Sequence, residues 1–432
     1  MIIHTKNRSV ECFGRYIALR SMGIRALFMF ANFWLIIMAI YQLKPASRSL
    51  FIGAVGADEL PYVWIGSALT MGLFIPFYNR LVARISRLHV VLGCCLAICV
   101  LLVFFRVLFI YHAGPSVSVL FYLFVDLMSV ILVEQFWSLC NSIYNIYEGK
   151  RWYGLVGTGG LAGGMVGGAM AGFLIRHTFL ITADLTLVAG GFIFLLFLLT
   201  WFMGICGLYC EVDGPNIGPG RRARDEGAWR TLTGSPYLLL LAAILLLAQL
   251  ASPLVEYQFL KTAALSYPEQ EMRTAFLSMF FSLLGFVSIV VNLGITPLVH
   301  RYAGIIPGLL VQPIVMSLFS FLFYSAPTLF FASAAKISDR GLANSINRAS
   351  REQLYVPIDP VLIYQAKAWI DMFGFRVFKV AGSLLILAFT RWLPVTLTVS
   401  QFSGFIILIC AVWIVLVLGL QRHYRSLAES AG

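Results

Sequence analysis

Apolar runs of about twenty residues recur from one end of this chain to the other, and each is long enough to cross a bilayer core of roughly 30 Å as a helix. In lipid no water is present to bond backbone N–H and C=O groups, so a spanning segment must satisfy them within itself. The runs predict spans at 24–43, 61–79, 88–111, 117–144, 152–175, 182–206, 235–259, 274–298, 304–324, 326–350, 367–390 and 396–420. The expected fold is an all-α polytopic membrane protein with about twelve transmembrane helices. Composition agrees. Only 12% of residues are charged and 60% are hydrophobic, whereas a soluble domain carries about 25% charged residues.

Basic residues set the expected orientation. With the N-terminus inside, the inner segments hold Lys6, Arg8, Arg15, Arg20 and Arg25, then Arg80, Arg84, Arg87, Lys150, Arg151, the central-loop arginines, Arg301, Arg348, Arg351, Lys367, Arg422 and Arg425. The outer segments hold only Lys44, Arg48, Arg176, Lys261, Arg273 and Arg391. This bias places both termini in the cytoplasm. It also accounts for most of the +12 net charge, so no nucleic-acid partner is inferred. No short apolar region near the start ends in an A-x-A-like site, and the first span is expected to be its own insertion signal. Most cysteines lie inside apolar runs, and Cys206 with Cys210 finds no second pair or histidine cluster. Neither a metal site nor a cofactor is expected.

The stretch YGLVGTGGLAGGMVGGAMAG (153–172) imitates a phosphate loop, since Gly157, Gly159 and Ala162 fit G-x-G-x-x-G/A. A dinucleotide loop, however, needs a strand before it and a helix after it. Here the run is itself a bilayer-long helix. Gly160, Gly164, Gly168 and Gly172 recur at every fourth residue, with Gly159, Gly163 and Gly167 beside them. Such ladders make a face without side chains on which another helix can pack closely.

The longest polar loop, 207–234, divides the chain into halves 1–206 and 235–432. Lys150-x-Trp152-x4-Gly157 opens span 5, and Lys367-x-Trp369-x4-Gly374 opens span 11, 217 residues later. Asn141-Ser142-Ile143 and Asn344-Ser345-Ile346 precede them in the same order. A six-plus-six duplication is the pattern of the major facilitator fold, whose repeats surround a midplane site. NRLVARISR (79–87) is similar to the basic inner loop of that superfamily.

Charged residues inside spans cost about 2.5–3.5 kcal/mol each on insertion scales, so they must face one another or a wet cavity. Span 10 carries Lys336, Arg340, Asn344, Asn347 and Arg351 at helical spacing. Span 4 carries Asp126, Glu134, Ser138, Asn141, Asn145 and Glu148. In span 7, Gln249, Ser252 and Glu256 align; Asp371, Arg376 and Lys379 lie in span 11. Arg106 stands in span 3. Either these residues are ion pairs and gates that lock helices, or they line a polar pathway. Stripes that run most of a helix exceed what one packing pair needs. The basic stripe suits an anionic substrate. Asp126, Glu134, Asp339, Asp371 and Lys379 are coupling or gating candidates.

Several segments resemble one family: LKPASRSLF with GADELPYVWIGSAL after span 1, FWSLCNSIYNIYEGKRWYGLVG across spans 4 and 5, VEYQFLK in span 7, and NRASREQLYVPIDPVLIYQAKAWIDMFGFRVFKVAGSLL across spans 10 and 11. They are similar to the ATP/ADP translocase-type nucleotide transporters of plastids and obligate intracellular bacteria, and to the wider set of bacterial transporters related to them. The resemblance implies a nucleotide exchanger in a bacterial inner membrane. It carries the family's four charged positions onto Arg48, Glu148, Glu256 and Lys367. Arg48 stands where a lysine is usual, Gly149 replaces alanine, and Gly154 replaces proline. These departures bear on the substrate. Lys150, Arg151, Lys336, Arg340 and Asn344 complete the expected substrate set, and Lys150 and Arg151 read equally as cytoplasmic anchors.

The leading reading is a secondary transporter with alternating access for an anionic solute, specifically ATP/ADP exchange or nucleotide uptake. The first alternative is a proton-coupled permease for another organic anion. The second is a receptor or assembly subunit that does not transport. The chain contains no H-E-x-x-H, G-x-S-x-G or P-loop G-K-[ST], so neither an enzyme nor an ATP-driven pump is expected. The expected partners are a small anionic substrate and the lipid bilayer, with a monomer as the default assembly.

Overall fold

The computed structural model describes residues 3–82, 85–144, 146–206, 235–354, 370, 374–394 and 396–431. Every regular element among them is helical: α1 Ile3–Ala54, α2 Leu60–Val82, α3 Arg87–Tyr111, α4 Pro115–Ile143, α5 Ile146–His177, α6 Leu185–Ile205, α7 Pro236–Ser266, α8 Gln270–Val290, α9 Thr296–Tyr302, α10 Ile305–Ser325, α11 Leu329–Leu342, α12 Arg348–Leu354, α13 Phe375–Leu387 and α14 Phe402–Ala431. Nine stretches among the described residues are long and apolar enough to cross a membrane. The other three expected spans fall on α2, on α11 with α12, and on α13. The last two are broken by π turns at Ala343–Asn347 and Ala388–Trp392.

One boundary differs from expectation. The first span was expected to stop at residue 43, leaving Lys44 and Arg48 in an outer loop. Instead α1 runs on through Pro45 to Ala54, so both residues lie on a helix. The chain breaks only at Gly56, whose φ of 107° suits glycine and few other residues. Gly304, with φ 91°, makes the corresponding break between α9 and α10.

The helices cluster into two compact units. The first holds Met1–Arg48, Leu73–Asn216 and Leu277–Ser282; the second holds Ser49–Gly72, Ile217–Phe276 and Leu283–Gly432. The polar stretch 207–234 lies outside the described residues.

In the first unit α5 packs on α1 through its glycines. A Cβ on Gly159 would stand 2.6 Å from the Phe30 carbonyl oxygen, and one on Gly163 2.6 Å from that of Trp34. A Cβ on Gly160 would overlap the Phe33 ring, and one on Gly164 would stand 3.1 Å from the Tyr41 ring. Gly168 faces α8 instead, 2.7 Å from the Ser278 carbonyl oxygen by the same measure. Hydrogen bonds cross the same face: Gln42 Nε2 donates to the Gly167 carbonyl (3.0 Å) and Ser282 Oγ to that of Met165 (2.6 Å). Gly172 is buried in the same helix. On the far side α3 packs against α6. There Arg106 pairs with Asp184 at 2.6 Å, so the intramembrane charge of α3 is neutralised at the start of α6.

The second unit is built around α7, which is flanked by α11, α13 and α14. Ser235 Oγ caps α7, and Pro236 occupies its first turn, where a missing N–H loses nothing. Pro253 lies within the continuous helix, and Gly382 of α13 sits beside it, where a Cβ would meet the Leu250 carbonyl oxygen at 2.7 Å. Arg273 of α8 is 3% exposed. Its guanidinium donates to the Ser49 hydroxyl and carbonyl and to the carbonyls of Tyr267 and Pro268. This fork ties the end of α1 to the α7–α8 turn.

Candidate functional site

The most deeply buried charge among the described residues is Lys336, 1% exposed on α11. An ammonium there must be paired or lose several kcal/mol of hydration. Asp339, one turn on along the same helix, places Oδ2 2.8 Å from Lys336 Nζ. The Glu256 carboxylate of α7 contacts the same ammonium. Ser252, one turn before Glu256, donates its hydroxyl to Asp339 Oδ2 at 3.0 Å. Arg340 approaches Asp339 at 3.6 Å, with its side chain 40% exposed. Two carboxylates thus meet two cations, and Arg340 is the most exposed of the four.

A second tier holds the backbone of this helix. Gln312 of α10 donates to the Asp339 carbonyl at 3.0 Å and accepts from Asn347. The expected stripe put Asn344 and Asn347 on one line with Lys336 and Arg340. The π turn at Ala343–Asn347 changes that. A π turn takes in one more residue than an α turn, so positions within it do not keep α-helical spacing. Asn347 is buried and donates to Gln312, while Asn344, inside the same turn, is exposed. Gln312 carried a signal in the sequence: it is a lone amide beside a proline in an apolar helix.

Arg48 belongs to the first unit. Its guanidinium carbon lies 5.4 Å from the Tyr122 ring centroid and 5.8 Å from that of Phe281, and Nη1 donates to the Lys44 carbonyl at 3.2 Å. Aromatic faces hold a planar cation in place without consuming its charge. On α4, Asp126 is half-buried and Glu134 is exposed.

At the other end of α1, the α4–α5 junction gathers an aromatic group. Tyr153 Oη donates to Asn141 Oδ1 at 2.7 Å. The Tyr153 ring meets Trp137 and Tyr144 edge to face, at 5.8 and 5.9 Å. Trp137 in turn meets Phe33, the ring seated on Gly160, at 5.6 Å. Glu148 is half-buried beside them on α5, and Arg151 lies over Trp152 at 5.2 Å. The Lys150 side chain lies outside the described residues, as do Lys367 and Asp371. Lys379 and Arg376 are half-buried on α13.

The turn after α1 carries Asp58 and Glu59, to which the sequence reading assigned no role. Asp58 accepts from Lys261 Nζ (2.5 Å) and Tyr257 Oη (2.9 Å) of α7. Glu59 pairs with Arg391 after α13. Burial alone would raise the Asp58 carboxyl, but hydrogen bonds from Lys261 and Tyr257 and the charges of Lys261 and Arg391 hold it below the usual carboxylate range.

Comparison with known proteins agrees with this architecture. The TLC ATP/ADP transporter family matches residues 116–211 and 223–339. ADP,ATP carrier protein 2 of Chlamydia pneumoniae is 25% identical over 360 residues, covering 70% of this chain and 65% of that protein. ADP,ATP carrier protein 1 of Chlamydia trachomatis is 25% identical over 295 residues, covering 60% and 55%. The chain thus spans less than two thirds of the length of these relatives. Among solved structures, the POT family transporter PepTSo aligns with a TM-score of 0.65 at 14% identity, over 92% of this chain and 98% of that one. A bacterial homologue of the iron transporter ferroportin, in an inward-facing state, aligns with a TM-score of 0.62 at 14% identity, over 93% and 98%. These likenesses show that the chain shares the helical fold of those two proteins.

Proposed function

We propose that this chain, which the TLC ATP/ADP transporter family matches over residues 116–211 and 223–339, is a secondary transporter that exchanges adenine nucleotides across a bacterial inner membrane by alternating access. The observation that carries this reading is the buried ammonium of Lys336 between Glu256 and Asp339. A phosphate group can take the place of either carboxylate on that ammonium, since both are anionic oxygen acceptors of similar geometry. Between substrates the carboxylates keep Lys336 neutralised, which avoids the several kcal/mol cost of a bare buried charge. Arg340 gives the displaced Asp339 carboxylate another cation. Within the first unit by itself, Arg48, held over Tyr122, offers a two-pronged donor of the kind that suits a phosphate group. Both termini are assigned to the cytoplasm by the positive-inside bias.

Uptake into proteoliposomes tests the reading. Labelled ATP is expected to enter only vesicles preloaded with ADP, and its uptake should not respond to a pH gradient. Uptake of another organic anion driven by a pH gradient, without nucleotide exchange, replaces this reading with a proton-coupled permease. Absence of any nucleotide effect on thermal stability at millimolar concentration overturns the nucleotide assignment. Arg48→Ala and Lys367→Ala are each expected to abolish exchange in folded protein.

A further inference from the structure

Gln312 and Asn347 hold the backbone behind the Lys336 cluster, and the exchange chemistry above gives neither of them a part. Both side chains are buried, and they lie with the whole cluster inside the second unit. A buried amide costs free energy unless its polar atoms are paired. Here both ends of Gln312 are used. Asn347 Nδ2 donates to Gln312 Oε1, and Gln312 Nε2 donates to the Asp339 carbonyl at 3.0 Å. The first bond fixes which end of the Gln312 amide faces Asp339.

In an unbroken α-helix the Asp339 carbonyl would take the N–H of Ala343. That N–H bonds the Arg340 carbonyl instead, where the π turn begins, and the Gln312 amide supplies a donor in its place. The amide pair therefore pins the backbone of the residue whose carboxylate stands on Lys336. That carboxylate lies between two cations: Oδ2 is 2.8 Å from Lys336 Nζ and 3.6 Å from Arg340 Nε. A small side-chain rotation moves it from the first toward the second.

We infer that Asp339 is a built-in competitor of the substrate anion for Lys336, and that Gln312 and Asn347 are positioning residues that set how strongly it competes. The inference rests on the anion-exchange reading above and deepens it. A phosphate and the Asp339 carboxylate compete for the same ammonium. Apparent affinity is then the intrinsic affinity reduced by the fraction of time for which Lys336 is available. Pinning the Asp339 backbone keeps that fraction small, and the weaker binding that results favours release. Removing a residue that merely supports a binding site weakens binding. Removing one that supports the competitor strengthens it.

The test uses the purified full chain in detergent, with melting temperature followed against ATP and, separately, inorganic tripolyphosphate. Exchange rates are measured on the same variants in proteoliposomes. Gln312→Met keeps the length of the side chain and removes its amide. It is expected to lower the half-saturating concentration of each anion about two- to tenfold, the range for one hydrogen bond, and to lower the maximal exchange rate with it. Asn347→Leu should act in the same direction, and it decides the matter if the methionine variant fails to fold. Asp339→Asn should also tighten binding, and adding Gln312→Met to it should tighten binding no further, because the competitor is already neutral. Unchanged or weakened binding in Gln312→Met and Asn347→Leu overturns the inference. So does a full additional effect of Gln312→Met in the Asp339→Asn background. If tripolyphosphate binds and ATP does not, the nucleotide reading falls and the competitor is judged on tripolyphosphate alone. If neither anion binds wild type, both readings fall.

Discussion

Lys336 Nζ stands 2.8 Å from Asp339 Oδ2, one turn apart on the same helix, and neither side chain is more than 5% exposed. That pair would have little reason to exist in lipid on its own. It is sustained by Glu256 and Ser252 from α7 and by Gln312 from α10.

Breaking this cluster from one side is expected to destabilise strongly. Lys336→Ala leaves two buried carboxylates facing each other and should cost about 3–5 kcal/mol. Lys336→Met combined with Glu256→Gln and Asp339→Asn should recover part of that stability but no transport. Thermal melting and uptake measured on the same preparations separate the two effects.

The glycines of α5 should divide into two classes. Gly163→Ala places a Cβ 2.6 Å from the Trp34 carbonyl oxygen and must push α1 away. A loss of about 1–3 kcal/mol is expected, as for overpacking elsewhere. Gly157 has nothing within 4 Å of where its Cβ would stand. Gly157→Ala should be neutral or stabilise by up to about 1 kcal/mol through helix propensity. Equal melting temperatures for the two variants would show that the close approach does not matter.

Arg273→Lys keeps the charge but loses the fork. An ammonium has three N–H donors for the four acceptors that the guanidinium serves, the Ser49 hydroxyl and the carbonyls of Ser49, Tyr267 and Pro268. At least one of these acceptors loses its donor, at a cost of about 1–3 kcal/mol. Proteolysis at the α7–α8 turn should become faster in the variant, and unchanged protection would refute the clamp.

The Asp58 carboxyl sits below its usual range, and this has a definite sign. A carboxyl with a depressed folded-state value adds stability above its unfolded value of about 3.9 and loses it as pH falls through the folded value. The Asp58 side chain is 47% exposed, so solvent screening limits the effect to about 1 kcal/mol or less. The melting difference between wild type and Asp58→Asn should be full at neutral pH and should shrink as pH falls from about 4 downward. A difference that grows on acidification would contradict the assignment.

Much of the architecture was legible in the residues, because the constraint behind it is local. A bilayer-long apolar run can satisfy its backbone only as a helix, so spans such as Arg87–Tyr111 and Pro236–Ser266 could be read directly. The glycine periodicity of α5 and the charges of α11 were visible for the same reason, since helical spacing is a property of neighbours in sequence. The contents of the neighbouring helices were not. The partner of Arg106 could not be named because Asp184 lies 78 positions away, and Asp58 and Arg273 gained roles only through partners on other helices. The end of α1 was misplaced because Lys44 and Arg48 read as loop charges, while side chains of α4 and α8 cover Arg48 in a helix. Asn344 left the stripe because it lies inside a π turn, where α-helical spacing does not hold. The sequence by itself determined which segments are helical and which residues share a face within each. Tertiary structure alone decided which face meets which, because a desolvated charge is stabilised by whatever the fold brings within about 3 Å of it.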